Sequence, residues 1–322
     1  MNDINLRTAD VNTLSCPACR GTLTYRGTPV AGALGDGHLR CEGCENDWPV
    51  IDGVPRLLSD EESSGLQRLE DLFFEATAAT HESGARATRE PVDIDVARRE
   101  ELLERLDLHS IHDHEPGRPV RILDVGAGTG SNLAALARVL PAQFDTEVWA
   151  LAPRPAMIEQ CRRRTDGDPG GSTRFVVAGA HRLPFADRSF DRVFHIGGLH
   201  AWADPRRGLE EMARVARPDA PVLLVEERED SVHARWLYEQ LLYRLLAFGD
   251  AGAVSWGVEL RHSRGSAARG RPRRVCFCLR FTVRASSQAT GNGSSAARGR
   301  SPTWNDRAAR CGNGARRLPP AS

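Results

Sequence analysis

The sequence predicts an α/β fold built on a parallel sheet, with a small cysteine-rich unit before it and a disordered basic segment after it. A continuous apolar, β-forming run leads to Asp124 and is followed by glycines and then by apolar residues at helical spacing. Four of the eight cysteines form two C-x2-C pairs near the start. Residues 261–322 contain 14 arginines against one acidic residue, although the whole chain has a net charge of zero.

Length and composition are those of an ordinary globular protein. The 322 residues are enough for one α/β domain and a smaller unit, and the 40% hydrophobic and 27% charged contents are typical of folded chains. No apolar run reaches the roughly 18 residues that a membrane span requires. The first residues include Asp3 and Asp10 and lack the apolar core of a secretory signal, so we expect a cytoplasmic protein with reduced cysteines.

The paired cysteines are spaced for a metal site. Cys16 and Cys19 are separated by two residues, as are Cys41 and Cys44, and 21 residues lie between the pairs. Two such turns joined by a hairpin supply four thiolates to one Zn²⁺ ion, which leaves no open coordination position and therefore predicts a structural zinc ribbon. The alternative is that one pair is degenerate and the cysteines bind nothing.

The glycine-rich segment after Asp124 is the most informative part of the chain. Val120–Gly130 has the pattern D-x-G-x-G-x-G, one residue shorter than the dinucleotide fingerprint that places a pyrophosphate at a helix N-terminus. Gly126, Gly128 and Gly130 permit a sharp turn and a close approach of a ligand to the backbone. A carboxylate at the strand end favours a cationic ligand over a phosphate.

This segment resembles the first motif of the class I S-adenosylmethionine (SAM) dependent methyltransferases, and the resemblance continues over about residues 120–227. Three further segments match in order and spacing: EVWALAPRPAMIEQC at 147–161, RFVVAGAHRLPFADRSFDRVF at 174–194 and HAWADPRRGLEEMARVARPDAPVLLVEE at 200–227. They are similar to the group that includes the ubiquinone and menaquinone biosynthesis enzymes. The resemblance implies a doubly wound Rossmann-like sheet that binds SAM at the carboxyl ends of its first, second and fourth strands.

The resemblance also implies site residues and an acceptor class. We expect His200 to be the best general-base candidate, with His195 second, although a histidine at either position also fits a structural role. The expected acceptor is a small molecule. The positions that match the cofactor-binding motifs are Asp124, Gly126, Ala127, Gly128, Thr129, Gly130, Ala152, Pro153, Ala180, His181 and His195.

Two acids of the family pattern are absent from this chain. The acid that holds the ribose hydroxyls is replaced by Ala152, and the acid that reaches the adenine amino group is replaced by Gly179. Losing two charged hydrogen bonds weakens SAM binding by about two to four powers of ten unless His181, Arg154 or water substitutes. Three hypotheses remain: an active small-molecule methyltransferase, a non-catalytic binding protein, or an RNA methyltransferase that uses the ribbon and the basic tail.

Four regions follow from these patterns. We expect a zinc ribbon at 10–60, because WPVIDGVPRLL (48–58) resembles the end of the ribbon that precedes many bacterial methyltransferases. A helical connector or lid follows at 61–118, and the methyltransferase core occupies 119–255, extending to 285 if 254–260 and 275–283 are its last strands. Residues 286–322, rich in Arg, Gly and Ser, are expected to be disordered, and a shifted reading frame also yields such a composition.

Overall fold

The fold was determined from a computed structural model, which describes residues 6–59, 96–111, 117–141, 143–165, 172–199, 202–229, 254–262 and 274–283. The described residues all belong to one compact unit, Met1–Ala285. This unit contains two sheets, one of four strands and one of seven. No helix in the described part of the chain is both long and apolar enough to cross a bilayer.

The four-stranded sheet is the ribbon that carries the paired cysteines. A 3-10 helix, Thr8–Thr13, precedes the antiparallel strands β1 (Leu23–Gly27), β2 (Gly37–Cys41), β3 (Asp47–Ile51) and β4 (Val54–Pro55). Leu23 pairs with Cys41 in the β1–β2 register, so the hairpin brings the second cysteine pair back to the start of β1, close behind the first. The hairpin expected between the two cysteine pairs is therefore present.

The seven-stranded sheet has the order β10-β11-β9-β8-β5-β6-β7. Strands β5 to β9 are parallel where they pair, and β11 is antiparallel to both of its neighbours. The order reverses at β5, which lies between β6 and β8. The strands are β5 (Val120–Val125), β6 (Thr146–Ala152), β7 (Ser172–Val177), β8 (Arg192–Ile196), β9 (Pro221–Glu229), β10 (Val254–His262) and β11 (Arg274–Val283).

Helices cover both faces of this sheet, as a doubly wound fold requires. They are α1 (Val96–Leu103), α2 (Ser131–Val139), α3 (Pro155–Thr165) and α4 (Pro205–Val215). Alternate strand residues enter opposite cores: Leu123 and Trp149 pack with the residues of α4 and the ribbon, whereas Ile122 and Val148 pack with those of α1, α2 and α3. The predicted α/β fold with a parallel sheet and a preceding ribbon is confirmed.

The ribbon packs directly on the methyltransferase-like sheet. The backbone N–H of Leu57 donates to the carbonyl of Val177 at 2.7 Å, and Arg56 forms a parallel bridge with Val177, so the end of the ribbon extends the sheet beyond β7. On the same side, Arg174 of β7 forms a buried ion pair with Asp10 at 3.0 Å. Because β7 is the last strand of the sheet in this direction, the ribbon covers an edge that would otherwise expose backbone donors and acceptors.

Several sequence predictions concern residues outside the described ranges. Most of the expected helical connector and the whole tail 286–322 lie there, and the domain boundaries stay predictions. In the described part of the connector, Leu102, Leu103, Leu106 and Leu108 are buried against the sheet. Strands are present at both segments proposed to finish the sheet, β10 and β11.

Candidate functional site

The candidate ligand site is built around the turn that follows β5. The backbone N–H groups of Gly126 and Ala127 both donate to the carbonyl of Leu151 at 2.9 Å, which ties the turn to β6. Gly126, Gly128 and Gly130 have φ angles of +80°, +56° and +91°, a region that residues with a Cβ rarely adopt. Helix α2 begins directly after Gly130. The glycine pattern thus produces a strand, a tight turn and a helix, as predicted.

Each of these glycines is required for a different reason. A Cβ at Gly130 would lie 2.9 Å from Sγ of Cys161 on α3, and one at Gly126 would lie 3.1 Å from Nδ1 of His195 on β8. A Cβ at Gly128 would meet no atom within 4 Å among the described residues. Gly126 and Gly130 therefore permit internal packing, whereas Gly128 presents bare backbone to open space, where a ligand can approach.

Asp124 lies beneath this turn and is fully buried. Its Oδ1 accepts a hydrogen bond from Nδ2 of Asn132 at 3.4 Å, whereas its Oδ2 has no hydrogen-bond partner among the described residues. Burial raises the pKa of this carboxyl to about 7, although the Asn132 hydrogen bond and the charge of Arg99 both act to lower it. A buried carboxylate oxygen without a donor is energetically costly, and a cationic ligand group or an ordered water would relieve that cost.

The ends of β6 and β7 lie beside the turn and carry no acid. Ala152 is buried, and its carbonyl accepts the N–H of Ala178 at 3.1 Å, so the positions of the two missing family acids lie on adjacent strand ends. His181 follows in a short 3-10 helix, and its Nε2 accepts the N–H of Asp204 at 3.1 Å. Burial lowers the pKa of His181, partly offset by Asp204, so its imidazole is neutral at pH 7 and carries its proton on Nδ1.

The end of β8 forms the opposite wall of the site. Gly197 and Gly198 have φ angles of +79° and +93°, and a Cβ at either would meet no described atom within 4 Å. His195, only 1% exposed, contacts the carbonyl of Val125 through Nδ1 at 2.6 Å and packs against Trp202 with ring centroids 4.6 Å apart. His195 therefore supports the glycine turn from within.

The other expected site residues are placed as follows. Ala127, Thr129 and Ala180 are buried in the turn and in the segment after β7, and Pro153 is partly exposed after β6. The expected general base, His200, lies outside the described residues. The roles assigned to all of these residues stay predictions, because the structure contains no ligand.

Sequence reasoning missed several residues that line or support the site. Asn132, Gly197, Gly198, Trp202 and Arg99 were not among the expected site residues. The paired glycines after β8 offered a signal, because two consecutive glycines at the carboxyl end of a parallel strand lie where open sheets bind ligands. Arg99 and Asn132 offered none, since their contact depends on the packing of α1 against α2.

The four cysteines of the ribbon come together as a second site. The sulfurs of Cys16, Cys19, Cys41 and Cys44 all lie within 4.8 Å of one another, with Cys16 and Cys44 at 3.6 Å and Cys19 and Cys41 at 3.4 Å. Tetrahedral Zn²⁺ with Zn–S bonds of about 2.3 Å places its sulfurs about 3.8 Å apart. The observed cluster is close to this geometry, so these residues fit a Zn²⁺ ion.

Backbone donors around the cluster favour the thiolate form that a metal requires. Burial acts to raise the pKa of Cys41, but the N–H groups of Cys44 and Gly43 outweigh it and lower the value to about 7. Burial raises the pKa of Cys16 to about 12, so this sulfur is a thiol without a metal. A metal ion deprotonates its cysteine ligands on binding, so the buried thiol of Cys16 and the partly ionised thiol of Cys41 can both serve as ligands.

Comparison with known proteins agrees with this geometry. Residues 123–224 match the family model described as a methyltransferase domain. The demethylmenaquinone methyltransferase of Clavibacter sepedonicus is 41% identical over 110 residues, 33% of this chain and 40% of that protein. The malonyl-[acyl-carrier protein] O-methyltransferase of Halorhodospira halophila is 33% identical over 160 residues, 50% of this chain and 48% of that protein. The chain thus spans less than half the length of either relative.

A solved structure is also similar, at lower sequence identity. Phosphoethanolamine N-methyltransferase 2 of Haemonchus contortus, in complex with SAM, has a TM-score of 0.44 and 14% identity, covering 59% of this chain and 53% of that one. Residues 123–224 of this chain thus match a methyltransferase domain, and a ribbon whose four cysteines form one cluster precedes them.

Proposed function

We propose that this chain transfers a methyl group from SAM to a small-molecule acceptor. The observation that carries the proposal is the unpartnered, fully buried Oδ2 of Asp124 beneath a turn whose Gly128 backbone is open. A phosphate ligand requires donors and positive charge at such a turn, whereas this one offers a carboxylate. SAM has cationic ammonium and sulfonium groups and no phosphate, so its charge complements the site.

The chain's own part in such a reaction is mainly positioning. SAM supplies a methyl carbon that its sulfonium already activates, so an acceptor held in line with the carbon–sulfur bond needs little further chemistry. The bare backbone at Gly128, Gly197 and Gly198 would define the walls of the cleft, and Asp124 would fix the charged end of the ligand. An acceptor that must lose a proton also needs a base, for which His200 is our candidate.

The replacement of the two family acids by Ala152 and Gly179 affects the expected affinity for SAM. Without a ribose carboxylate, we expect SAM to bind about two to four powers of ten more weakly than a site with both acids allows. We propose that His181 compensates in part, because its ring accepts the N–H of Asp204 through Nε2 and follows directly after the end of β7. The same absence favours the second candidate, a non-catalytic protein that binds a nucleoside in this fold.

The relatives indicate the chemical class of the methyl acceptor only broadly. The two curated relatives act, by their names, on demethylmenaquinone and on malonyl-[acyl-carrier protein], which differ greatly in shape and polarity. What they share with this chain is the core that holds the methyl donor. We therefore propose a small organic acceptor recognised outside that core, with the connector 61–118 as the specificity element.

The ribbon cysteines are proposed to hold one structural Zn²⁺ ion. Four sulfur ligands leave no position for water or substrate, so the metal would contribute to folding and would take no part in methyl transfer. The small size of the ribbon makes such a contribution necessary, because about 50 residues bury too little apolar surface for comfortable stability.

Calorimetric titration with SAM and with S-adenosylhomocysteine tests the proposal. We expect saturable binding of both compounds, with dissociation constants in the micromolar to low millimolar range, and loss of SAM binding in Asp124→Leu. The matched control, Asp187→Leu, changes an exposed carboxylate and should bind as the wild type does. If neither compound binds saturably at millimolar concentration, the proposed methyltransferase activity is refuted. Binding without any methylated product from a cell extract supplied with labelled SAM would favour the non-catalytic candidate.

A further inference from the structure

Two hydrogen bonds between three side chains link helix α1 to the buried carboxylate of Asp124. Nη1 of Arg99 donates to Oδ1 of Asn132 on α2, and Nδ2 of Asn132 donates to Oδ1 of Asp124 at 3.4 Å. Asn132 is 3% exposed, so its amide is shielded from bulk solvent. Helix α1 of the connector therefore contacts Asp124 indirectly, through the buried amide of Asn132.

The chemistry of these groups fixes which one donates and which one accepts in each hydrogen bond. A guanidinium has only donors, so Arg99 must face the oxygen of the Asn132 amide. The amide nitrogen then has to face Asp124, which can only accept while it is ionised. Without Arg99, the buried amide can rotate and present its oxygen to the carboxyl, an arrangement that favours protonated Asp124.

The positive charge of Arg99 acts in the same direction as this hydrogen bond. It lowers the pKa of Asp124 against the larger effect of burial. Other groups near Asp124 do not supply this charge: the Cys161 thiol on α3 has a raised pKa and stays protonated, and the Nδ1 of His195 on β8 contacts the carbonyl of Val125. Among these described neighbours, Arg99 is the cation that favours the ionised form of the carboxyl.

We infer that Arg99 is a positioning residue for the methyl donor: through Asn132 it favours the ionised form of Asp124, with one oxygen engaged and the other left for the cationic end of the ligand. The inference rests on the proposed function, because it assigns a role at the same site. Its consequence is that the connector sets the pH range in which the site binds a cation. Above the pKa of Asp124 the site attracts SAM, and below it the attraction is lost.

The test measures the SAM dissociation constant between pH 5.5 and 8.0 in the wild type, Arg99→Gln, Arg99→Lys and Arg98→Gln. Gln and Lys both retain a donor for Asn132, but only Lys retains the charge. We expect Arg99→Gln to bind about tenfold more weakly at pH 6.5, with a much smaller loss at pH 8.0 and an acidic midpoint moved to higher pH. Arg99→Lys should keep the wild-type midpoint.

The controls separate this inference from the proposed function and from a purely structural role. Arg98 lies next along α1 and pairs with Glu101, so Arg98→Gln should leave both affinity and midpoint unchanged. An equal loss at every pH in Arg99→Gln, or an unmoved midpoint, overturns the inference while SAM binding by the wild type stands. Absence of SAM binding in the wild type overturns the proposed function, and the inference with it.

Discussion

Asp124 makes the stability of the ligand-free protein depend on pH in an unusual direction. Its pKa in the folded state is about 7, above that of an exposed aspartate, because burial disfavours the charged form. A raised folded pKa means that the stability from this group is fully present below the unfolded pKa and is lost as the pH rises through about 7. We therefore expect this carboxyl to stabilise the fold as the medium becomes more acidic.

The first prediction compares the wild type with Asp124→Asn in urea unfolding at pH 5 and pH 8. From pH 8 to pH 5 the wild type should gain about 3 kcal/mol relative to the variant, since two pKa units separate pH 5 from the folded pKa. All other carboxyl groups titrate in both proteins and cancel from the difference. In Asp187→Asn, which changes an exposed carboxylate, no such gain is expected. A constant difference between wild type and Asp124→Asn would refute the raised pKa.

The second prediction separates the two roles of glycine at the ligand turn. Gly128 and Gly117 both have positive φ angles, +56° and +84°, and a Cβ at either meets no described atom within 4 Å. Alanine at each should cost about 1–2 kcal/mol of folding free energy for the backbone conformation alone. Only Gly128→Ala should also weaken SAM binding, by tenfold or more, because its methyl group occupies the ligand space. Equal SAM affinities in the two variants by calorimetry would show that Gly128 does not contact the ligand.

At the scale of single residues, the sequence indicated the site positions that are neighbours along the chain. The glycines of the turn and Asp124 follow one another along the chain, so their spacing already indicates a strand end and a close backbone approach. Arg99 and Asn132 contact each other only because α1 packs on α2, and nothing in their surroundings in the sequence distinguishes them from other polar helix residues. His195 contacts the carbonyl of Val125 beneath the turn, and its expected contact with the ligand stays a prediction.

At the scale of elements, the ion pair between the ribbon and the sheet deserves a quantitative test. Arg174 of β7 is 3% exposed and contacts both Asp10, at 3.0 Å, and Glu147 of β6, at 3.2 Å. Removing the cation from such a buried group leaves two carboxylates with fewer donors. The pair therefore joins the ribbon to the sheet edge more firmly than an exposed salt bridge does.

The third prediction is that Arg174→Met lowers the free energy of unfolding by about 3 kcal/mol. The matched control is Arg40→Met, which removes an arginine that also contacts two acids, Asp47 and Glu45, but on the exposed face of the ribbon. Exposed pairs contribute little, so this control should lose less than about 1 kcal/mol. Guanidinium chloride unfolding followed by circular dichroism measures both. Similar losses in the two variants would contradict the proposed role of burial.

The elements themselves were largely predictable, whereas the way they join was not. An apolar run leading to Asp124 predicted β5, and apolar residues at helical spacing predicted α2. The resemblance to the family predicted β6 and β8. The addition of the ribbon end to β7 could not be predicted, because the bridge between Arg56 and Val177 joins segments far apart in sequence. Backbone hydrogen bonds of this kind leave no pattern in the side chains.

At the scale of the whole molecule, the ribbon and the methyltransferase core share one hydrophobic cluster. Leu14, Leu39 and Leu57 of the ribbon belong to the same buried group as Trp149 and Phe185 of the core. The N–H of Ser15 also donates to the carbonyl of Pro184 at 2.9 Å, immediately beside the first cysteine pair. Because a shared core unfolds cooperatively, any change that loosens the ribbon should also loosen the sheet that holds the ligand turn.

The fourth prediction follows from this shared core and concerns zinc. Mass spectrometry of the metal content should find one Zn²⁺ per chain in the wild type and none in Cys41→Ser, whereas Cys161→Ala, which removes a buried cysteine outside the cluster, should retain it. Since binding energy at a four-cysteine site is folding energy, removing zinc should lower the denaturant midpoint of the core as well as that of the ribbon.

The core transition can be followed separately from the ribbon by near-ultraviolet circular dichroism of a Trp48→Phe variant, which lacks the ribbon's tryptophan. This variant retains Trp149, which packs edge-to-face against Phe185 and Phe190. In this variant we expect the near-ultraviolet transition to coincide with the far-ultraviolet transition, and chelation should move both together by several degrees in a thermal scan. SAM affinity should fall in parallel, because the ribbon extends the sheet at β7, next to the β6 end that frames the turn. If the Trp149 transition and SAM affinity are unchanged after complete zinc removal, the ribbon folds independently of the core, and the contacts at Leu57 and Arg174 contribute little to its stability.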